Sequence, residues 1–159
     1  MNEDVFINFE EIRSAAEKLY SNFGEIWCPY LQEKVIFNAK GKEHLKFKAR
    51  HRARSHLDQN VRFKILKYAP EVIKKSHTIQ GLSKTKSFEM IRSNQRNEEI
   101  LVNVIYFEFV SVIEEKIRVR IIVKKIETSQ PYFWSIIPFW KKNVKDGRKQ
   151  INYGNPEED

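Results

Sequence analysis

The sequence predicts an α+β fold in which N-terminal helices pack on one face of an antiparallel β-meander. Two observations carry this. Up to Gly81 apolar residues recur at helical spacing, whereas beyond it they alternate or run together in β-branched and aromatic stretches. The chain has 159 residues, 41% of them hydrophobic and 31% charged. That is the composition of one globular domain with a core large enough to need no disulfide or metal.

Each element follows from local chemistry. Asn8-Phe9-Glu10-Glu11 has the form of a capping box, and Phe9, Ile12, Ala16, Leu19 and Phe23 follow at helical spacing up to a stop at Gly24. Ile26–Tyr30 and Val35–Phe37 read as a short hairpin, with Pro29 confining its first arm to an edge. Asn38 caps a short helix to about Phe47, which Gly41 weakens. Ser55 to Lys75 is the clearest helix, with Leu57, Val61, Ile65, Tyr68 and Val72 as its apolar stripe and Pro70 as a kink or end.

After Gly81, Phe88–Arg92 reads as a strand and Val102–Glu114 as a central strand apolar on both faces. Glu114-Glu115 turns tightly into a strand with Ile117, Val119, Ile121 and Val123 on one face. Lys116, Arg118, Arg120 and Lys124 take the other face. Tyr132 to Trp140 is the last strand, closed by Pro138. The expectation is therefore a single domain over 1–140, its helices at 9–23 and 56–74 on the Ile117–Val123 face. Residues 141–159 form a polar, loosely held tail.

The charge is concentrated. The net charge is +8. Residues 38–75 hold twelve Lys or Arg against Glu43, Asp58 and Glu71, a local +9, so the rest of the chain carries −1. An anionic partner follows from that density, and a phosphate backbone would be held through counterion release. Cys28 is the single cysteine, which excludes an internal disulfide and a CxxC zinc site. There is no P-loop, Rossmann glycine pattern, GxSxG elbow or HExxH, so neither cofactor nor metal is expected. His44, His51 and His56 lack paired-ligand spacing and stand among cations. No apolar run approaches a membrane span, and the acidic MNEDVFINFEE start is unlike a signal peptide. The expectation is a cytoplasmic protein with no membrane partner.

Three sets of residues bear on chemistry. In Lys42-Glu43-His44-Leu45-Lys46-Phe47-Lys48, the flanking ammonium groups favour a neutral imidazole on His44. That suits either a general base or a surface histidine. Arg50-His51-Arg52-Ala53-Arg54 reads as a basic loop for phosphate contact, or as a solvated one. On the sheet, Arg118, Arg120 and Lys124 share one strand face. Ser135 stands among large apolar residues, bonded either to backbone or to a phosphate oxygen. Tyr106 and Glu108 read as a core tyrosine and an ion-pair partner.

Val35-Ile36-Phe37 leading to a helix with His44, and Ser135-Ile136-Ile137-Pro138-Phe139 late in the chain, resemble motifs of a known superfamily. It is the barnase–EndoU–colicin–RelE superfamily of small metal-independent ribonucleases, in its phage-associated branches. The resemblance spans about residues 26–140; the barnase-type glutamate base has no identifiable counterpart. It implies RNA cleavage by the 2′-hydroxyl, with His44 as acid or base, Arg120 and Lys124 facing the phosphate charge, and Ser135 bonding the phosphate. Lys46, Lys48, Arg50, Arg52, Arg54 and Arg118 would bind the flanking nucleic acid. A toxin or mobile-element ribonuclease is thus one reading. A non-catalytic RNA- or DNA-binding module, and an interaction domain meeting an acidic inhibitor protein, are the others.

Overall fold

A computed structural model describes residues 3–48, 52–115, 117–138, 140–142, 149–151, 156, 157 and 159. The first helix, α1 (Glu3–Ser21), starts ahead of the expected cap, so Asn8 stands inside it. An interior Asn costs a helix less than about 1 kcal/mol, so a local capping pattern is easily overrun. Among its described side chains Phe9, Ala16 and Tyr20 are buried, and Gly24 ends the turn at φ 61°, a left-handed conformation that suits glycine. The hairpin is β1 (Glu25–Cys28) with β2 (Glu33–Ile36), and β1 is an edge strand. Next come α2 (Ala39–His44), α3 (His56–Ile65), a 3₁₀ turn (Leu66–Tyr68) and α4 (Ala69–Lys75), with Pro70 in the first turn of α4.

The buried face of α3 and α4 differs from the expected stripe. Of that stripe, Ile65 and Val72 are buried and Val61 and Tyr68 partly so, but Leu57 is 75% exposed, while Gln59, Arg62, Phe63, Leu66, Ala69 and Ile73 are buried as well. Periodicity alone favoured the stripe with the most apolar letters. The real face carries two polar side chains because it looks onto a polar site.

Four strands form an antiparallel meander: β3 (Gly81–Ser93), β4 (Arg96–Ile113), β5 (Ile117–Ile126) and β6 (Tyr132–Pro138). β3 is much longer than the Phe88–Arg92 expected. Glu114 and Glu115, at φ 51° and 61°, lie in the tight turn into β5, where Ile113 pairs with Ile117. The sheet is mixed, which corrects the expectation of a purely antiparallel one. Strand order is β1-β2-β6-β5-β4-β3, and β2 meets β6 in parallel through Ile36 opposite Tyr132. The hairpin joins the meander because β2 occupies the edge of β6 that the meander leaves open.

Val119, Ile121, Val123, Phe109, Phe133 and Ile136 form the main core with buried residues of α1, α3 and α4. The other sheet face carries a smaller cluster of Val102, Val104, Tyr106, Ile122, Ile126 and Tyr132. Beyond the expected domain end, β7 (Trp140–Lys142) pairs with β8 (Lys149–Ile151). Among the described residues no helix is long and apolar enough to cross a membrane.

Candidate functional site

The site is built around β6. Asn38 caps α2 by accepting from the Gly41 amide at 3.1 Å. Gly41 is required for close approach rather than merely tolerated. A methyl there would overlap the main-chain oxygen of Phe133 and the Tyr20 hydroxyl. The helix therefore lies against the backbone of β6 and ends at His44, short of the Phe47 expected. The chain then doubles back: the Lys48 amide donates to Arg52 O at 2.6 Å and the Arg54 amide to Lys46 O at 2.8 Å. That return brings Arg54 beside His44.

Arg54 is 3% exposed and His44 4%. Arg54 Nε donates to His44 O at 2.9 Å, and its Nη2 lies 3.0 Å from His44 Nε2. A guanidinium only donates, so Nε2 is the acceptor and the ring proton belongs on Nδ1. The imidazole stacks on Trp134, with centroids 3.9 Å apart. Trp134 is the extra residue of a β-bulge: Phe133 opposes Val123 and Ser135 opposes Ile122. The bulge thus sets Trp134 and Ser135 side by side.

From α3, Gln59 Nε2 donates to Arg54 O at 2.8 Å, and Arg62 Nε donates to Asp58 at 2.8 Å. Arg62 Nη1 donates to Ser135 Oγ at 2.5 Å. From β5, Arg120 Nη2 donates to Glu108 at 2.6 Å, and Lys124 Nζ to Glu89 at 2.6 Å. Lys124 also stands 4.3 Å from the Trp134 ring centre. The cluster converges on Asp159. Its main-chain oxygen accepts from Arg62 Nη1, from Ser135 Oγ and, at 3.4 Å, from Arg54 Nη2. Its carboxylate accepts from Arg120 Nη1 at 2.9 Å. Trp134 Nε1 donates to Pro156 O at 3.1 Å. These tail residues, expected to be loosely held, make all of these contacts.

Burial drives the electrostatics. Desolvation first, then the charges of Arg54, Arg62 and Lys124, push the His44 imidazole down to about 2, so it is neutral at pH 7. Burial also lowers Arg54, to about 10, and lowers Arg62 and Lys124, with Asp58 and Glu89 opposing the shift. Burial alone would raise Asp58, but Arg62 and Arg54 together hold it below its ordinary value. Among the described residues, Asp58 pairs with Arg54 and Arg62, Glu108 pairs with Arg120, and the Asp159 carboxylate also meets Arg120. Beside this cluster a cavity of about 390 Å³ is lined by His44, Lys40, Lys124, Tyr132 and Trp134, among others.

Of the residues singled out in the sequence, His44, Arg54, Arg120, Lys124 and Ser135 come together here. Arg118 is half-buried, two residues from Arg120 along β5. Lys46 is turned to Glu17 and Glu43, at 3.2 and 3.3 Å. Lys48 and Arg52 are exposed on the return loop; Arg50 lies outside the described residues. Sequence reasoning missed Arg62, Asp58, Trp134 and Asp159 as members of the site. The signal for Arg62 was a cation next to Phe63 and one turn from Leu66 on the interior face, legible only once that face is assigned correctly. Among the described residues no three His, Cys, Asp or Glu side chains gather as a metal site requires. Compared with protein-family models, with curated proteins and with solved structures, the chain finds no match.

Proposed function

We propose that the cleft beside β6 binds a phosphodiester and that the protein is a small metal-independent endoribonuclease. The observation that carries this is the convergence of Arg54, Arg62, Arg120 and Ser135 on one acidic residue beside a neutral buried imidazole. A phosphodiester presents acceptor oxygens and a negative charge to the same donors. In the proposed reaction, phosphate oxygens draw Arg54 Nη2 away from His44 Nε2, freeing the imidazole lone pair. His44 takes the 2′-hydroxyl proton, and the 2′-oxygen attacks phosphorus. The arginines stabilise the charge that develops on the pentacovalent phosphate. The P–O5′ bond breaks, and the Lys124 ammonium, made more acidic by burial, protonates the leaving 5′-oxygen. The products are a 2′,3′-cyclic phosphate and a 5′-hydroxyl, and solvent resets the two protonation states. The adjoining cavity gives room for a nucleoside, and Lys48 and Arg52 are exposed for flanking phosphates.

One feature favours a non-catalytic RNA-binding module instead. An imidazole held down to about 2 is a weak base, and its lone pair is already engaged by Arg54. Cleavage of a labelled RNA in EDTA, by wild type and His44→Ala side by side, separates the readings. A positioned base is worth about 10²–10⁴-fold, so His44→Ala should lose that much rate while RNA affinity survives. Equal rates would remove His44 from the mechanism. No cleavage by the wild type would leave the binding module.

A further inference from the structure

The cleft is already filled. Asp159 offers two oxygens on different atoms, and four donors from α3, β5, β6 and the return loop meet them. A phosphodiester offers the same chemistry: two acceptor oxygens and one negative charge. Asp159 also brings a negative charge to the guanidinium of Arg120. Its carboxylate side chain is 28% exposed, so it lies at the mouth of the cleft and can leave without opening the core. The Trp134 indole fastens the same segment through Pro156 O. We infer that the tail residues Pro156, Glu157 and Asp159 are a built-in competitor: Asp159 occupies the phosphate subsite and must be displaced before RNA binds. This rests on the reading of the cleft as a phosphodiester site. The segment is tethered to β6, so it acts at an effective concentration of about millimolar, and a substrate pays for displacing it.

The test compares the full chain with a chain shortened to end at residue 155 and with Asp159→Lys. Glu11→Lys, an exposed change on α1 that alters net charge equally, controls for simple electrostatics. The probe is a 2′-O-methyl RNA oligonucleotide, which binds without cleavage, and the Trp134 indole N–H signal is followed by NMR. The shortened chain and Asp159→Lys should bind the probe at least about tenfold more tightly than wild type, with Glu11→Lys well short of that. Adding probe to the wild type should move the Trp134 signal to its position in the shortened chain. Equal affinity in full and shortened chains, a Glu11→Lys gain as large as that of Asp159→Lys, or an unmoved Trp134 signal in a saturated complex would each overturn the inference. Tighter binding by the shortened chain without cleavage by any variant would keep the competitor and discard the ribonuclease. Cleavage by full and shortened chains at equal rates and equal affinities would do the reverse. No probe binding by either chain would overturn both.

Discussion

The guanidinium of Arg54 grips His44 at both ends: Nε donates to the main-chain oxygen at 2.9 Å and Nη2 to ring Nε2 at 3.0 Å. The two residues stand ten positions apart, and the return of the chain through Lys48 and Arg52 makes the meeting possible. A cation fixed against an imidazole lone pair forces that imidazole to be neutral. The arrangement therefore links the ordering of the return loop to the protonation state of the site.

A stability profile follows from the sign of that shift. The folded pKa of His44 lies near 2, pushed down by burial and by Arg54, Arg62 and Lys124, against an unfolded value of 6.5. Between those values the unfolded chain binds a proton that the folded chain does not, so stability falls as pH drops below 6.5. From pH 6.5 to 4.5 the loss due to His44 should be about 2–3 kcal/mol, at about 1.4 kcal/mol per unit. Asp58, whose folded value is lowered, loses its contribution only nearer pH 4 and below. Urea melts at pH 7 and 4.5 should show this loss in the wild type and largely lack it in His44→Gln, whose amide can still accept from Arg54. Equal losses in both proteins would refute a neutral buried His44.

Gly41 gives a test of how α2 is seated. A Cβ at that position meets the Phe133 carbonyl and the Tyr20 hydroxyl, which itself donates to Asn38 O at 2.6 Å. Backbone cannot move aside as a flexible side chain can. Gly41→Ala should therefore destabilise by about 1–3 kcal/mol, although alanine has the better helix propensity. A thermal melt at or above the wild-type midpoint would show that α2 is not packed so closely.

Much of the architecture was legible in the sequence because it rests on local chemistry. The Gly24 stop, the Asn38 cap, the Glu114-Glu115 turn and the alternation along β5 each depend on a few neighbouring residues. The parallel contact of β2 with β6 was not legible, since Ile36 and Tyr132 are far apart in the chain and no short-range pattern records their pairing. The site divides in the same way. His44, Arg120, Lys124 and Ser135 stood out by charge or by contrast with their neighbours. Arg62 did not, because the stripe through Leu57 and Val61 looked more apolar than the face that is actually buried. Trp134 gains its place from a bulge, which strand periodicity does not reveal.

Nucleic-acid affinity should divide between the cleft and its rim. Lys48 and Arg52 are exposed on the return loop, whereas Arg54 is structural to the site. Lys48→Glu with Arg52→Glu should weaken binding to single-stranded RNA without unfolding the protein. If four to six phosphates are neutralised, the wild-type slope of log K against log salt should be about −3 to −4. The double variant should flatten that slope by about 1 or more. Binding indifferent to salt and to both substitutions would exclude this loop as a docking surface.

Arg62 gives the sharpest test of the cleft itself. One guanidinium serves Asp58 through Nε and both Ser135 and the Asp159 oxygen through Nη1. A lysine keeps the charge but has one compact ammonium on a flexible stem, so it cannot span a carboxylate on α3 and a hydroxyl on β6 at once. Arg62→Lys should therefore fold, with a modest loss of about 1–2 kcal/mol, yet bind RNA roughly tenfold more weakly. Its cleavage rate should fall about 10²–10³-fold, as when one preorganised donor to a developing charge is lost. Arg62→Met removes the charge as well and leaves Asp58 with only the 3.5 Å contact to Arg54. That variant should be less stable than Arg62→Lys, and its stability should recover in part when Asp58 is also changed to Asn. Circular dichroism melts, RNA binding and cleavage in EDTA across the four proteins give the answer. Wild-type binding and cleavage by Arg62→Lys would mean that charge alone matters, and the forked geometry between α3 and β6 would have no part in holding phosphate.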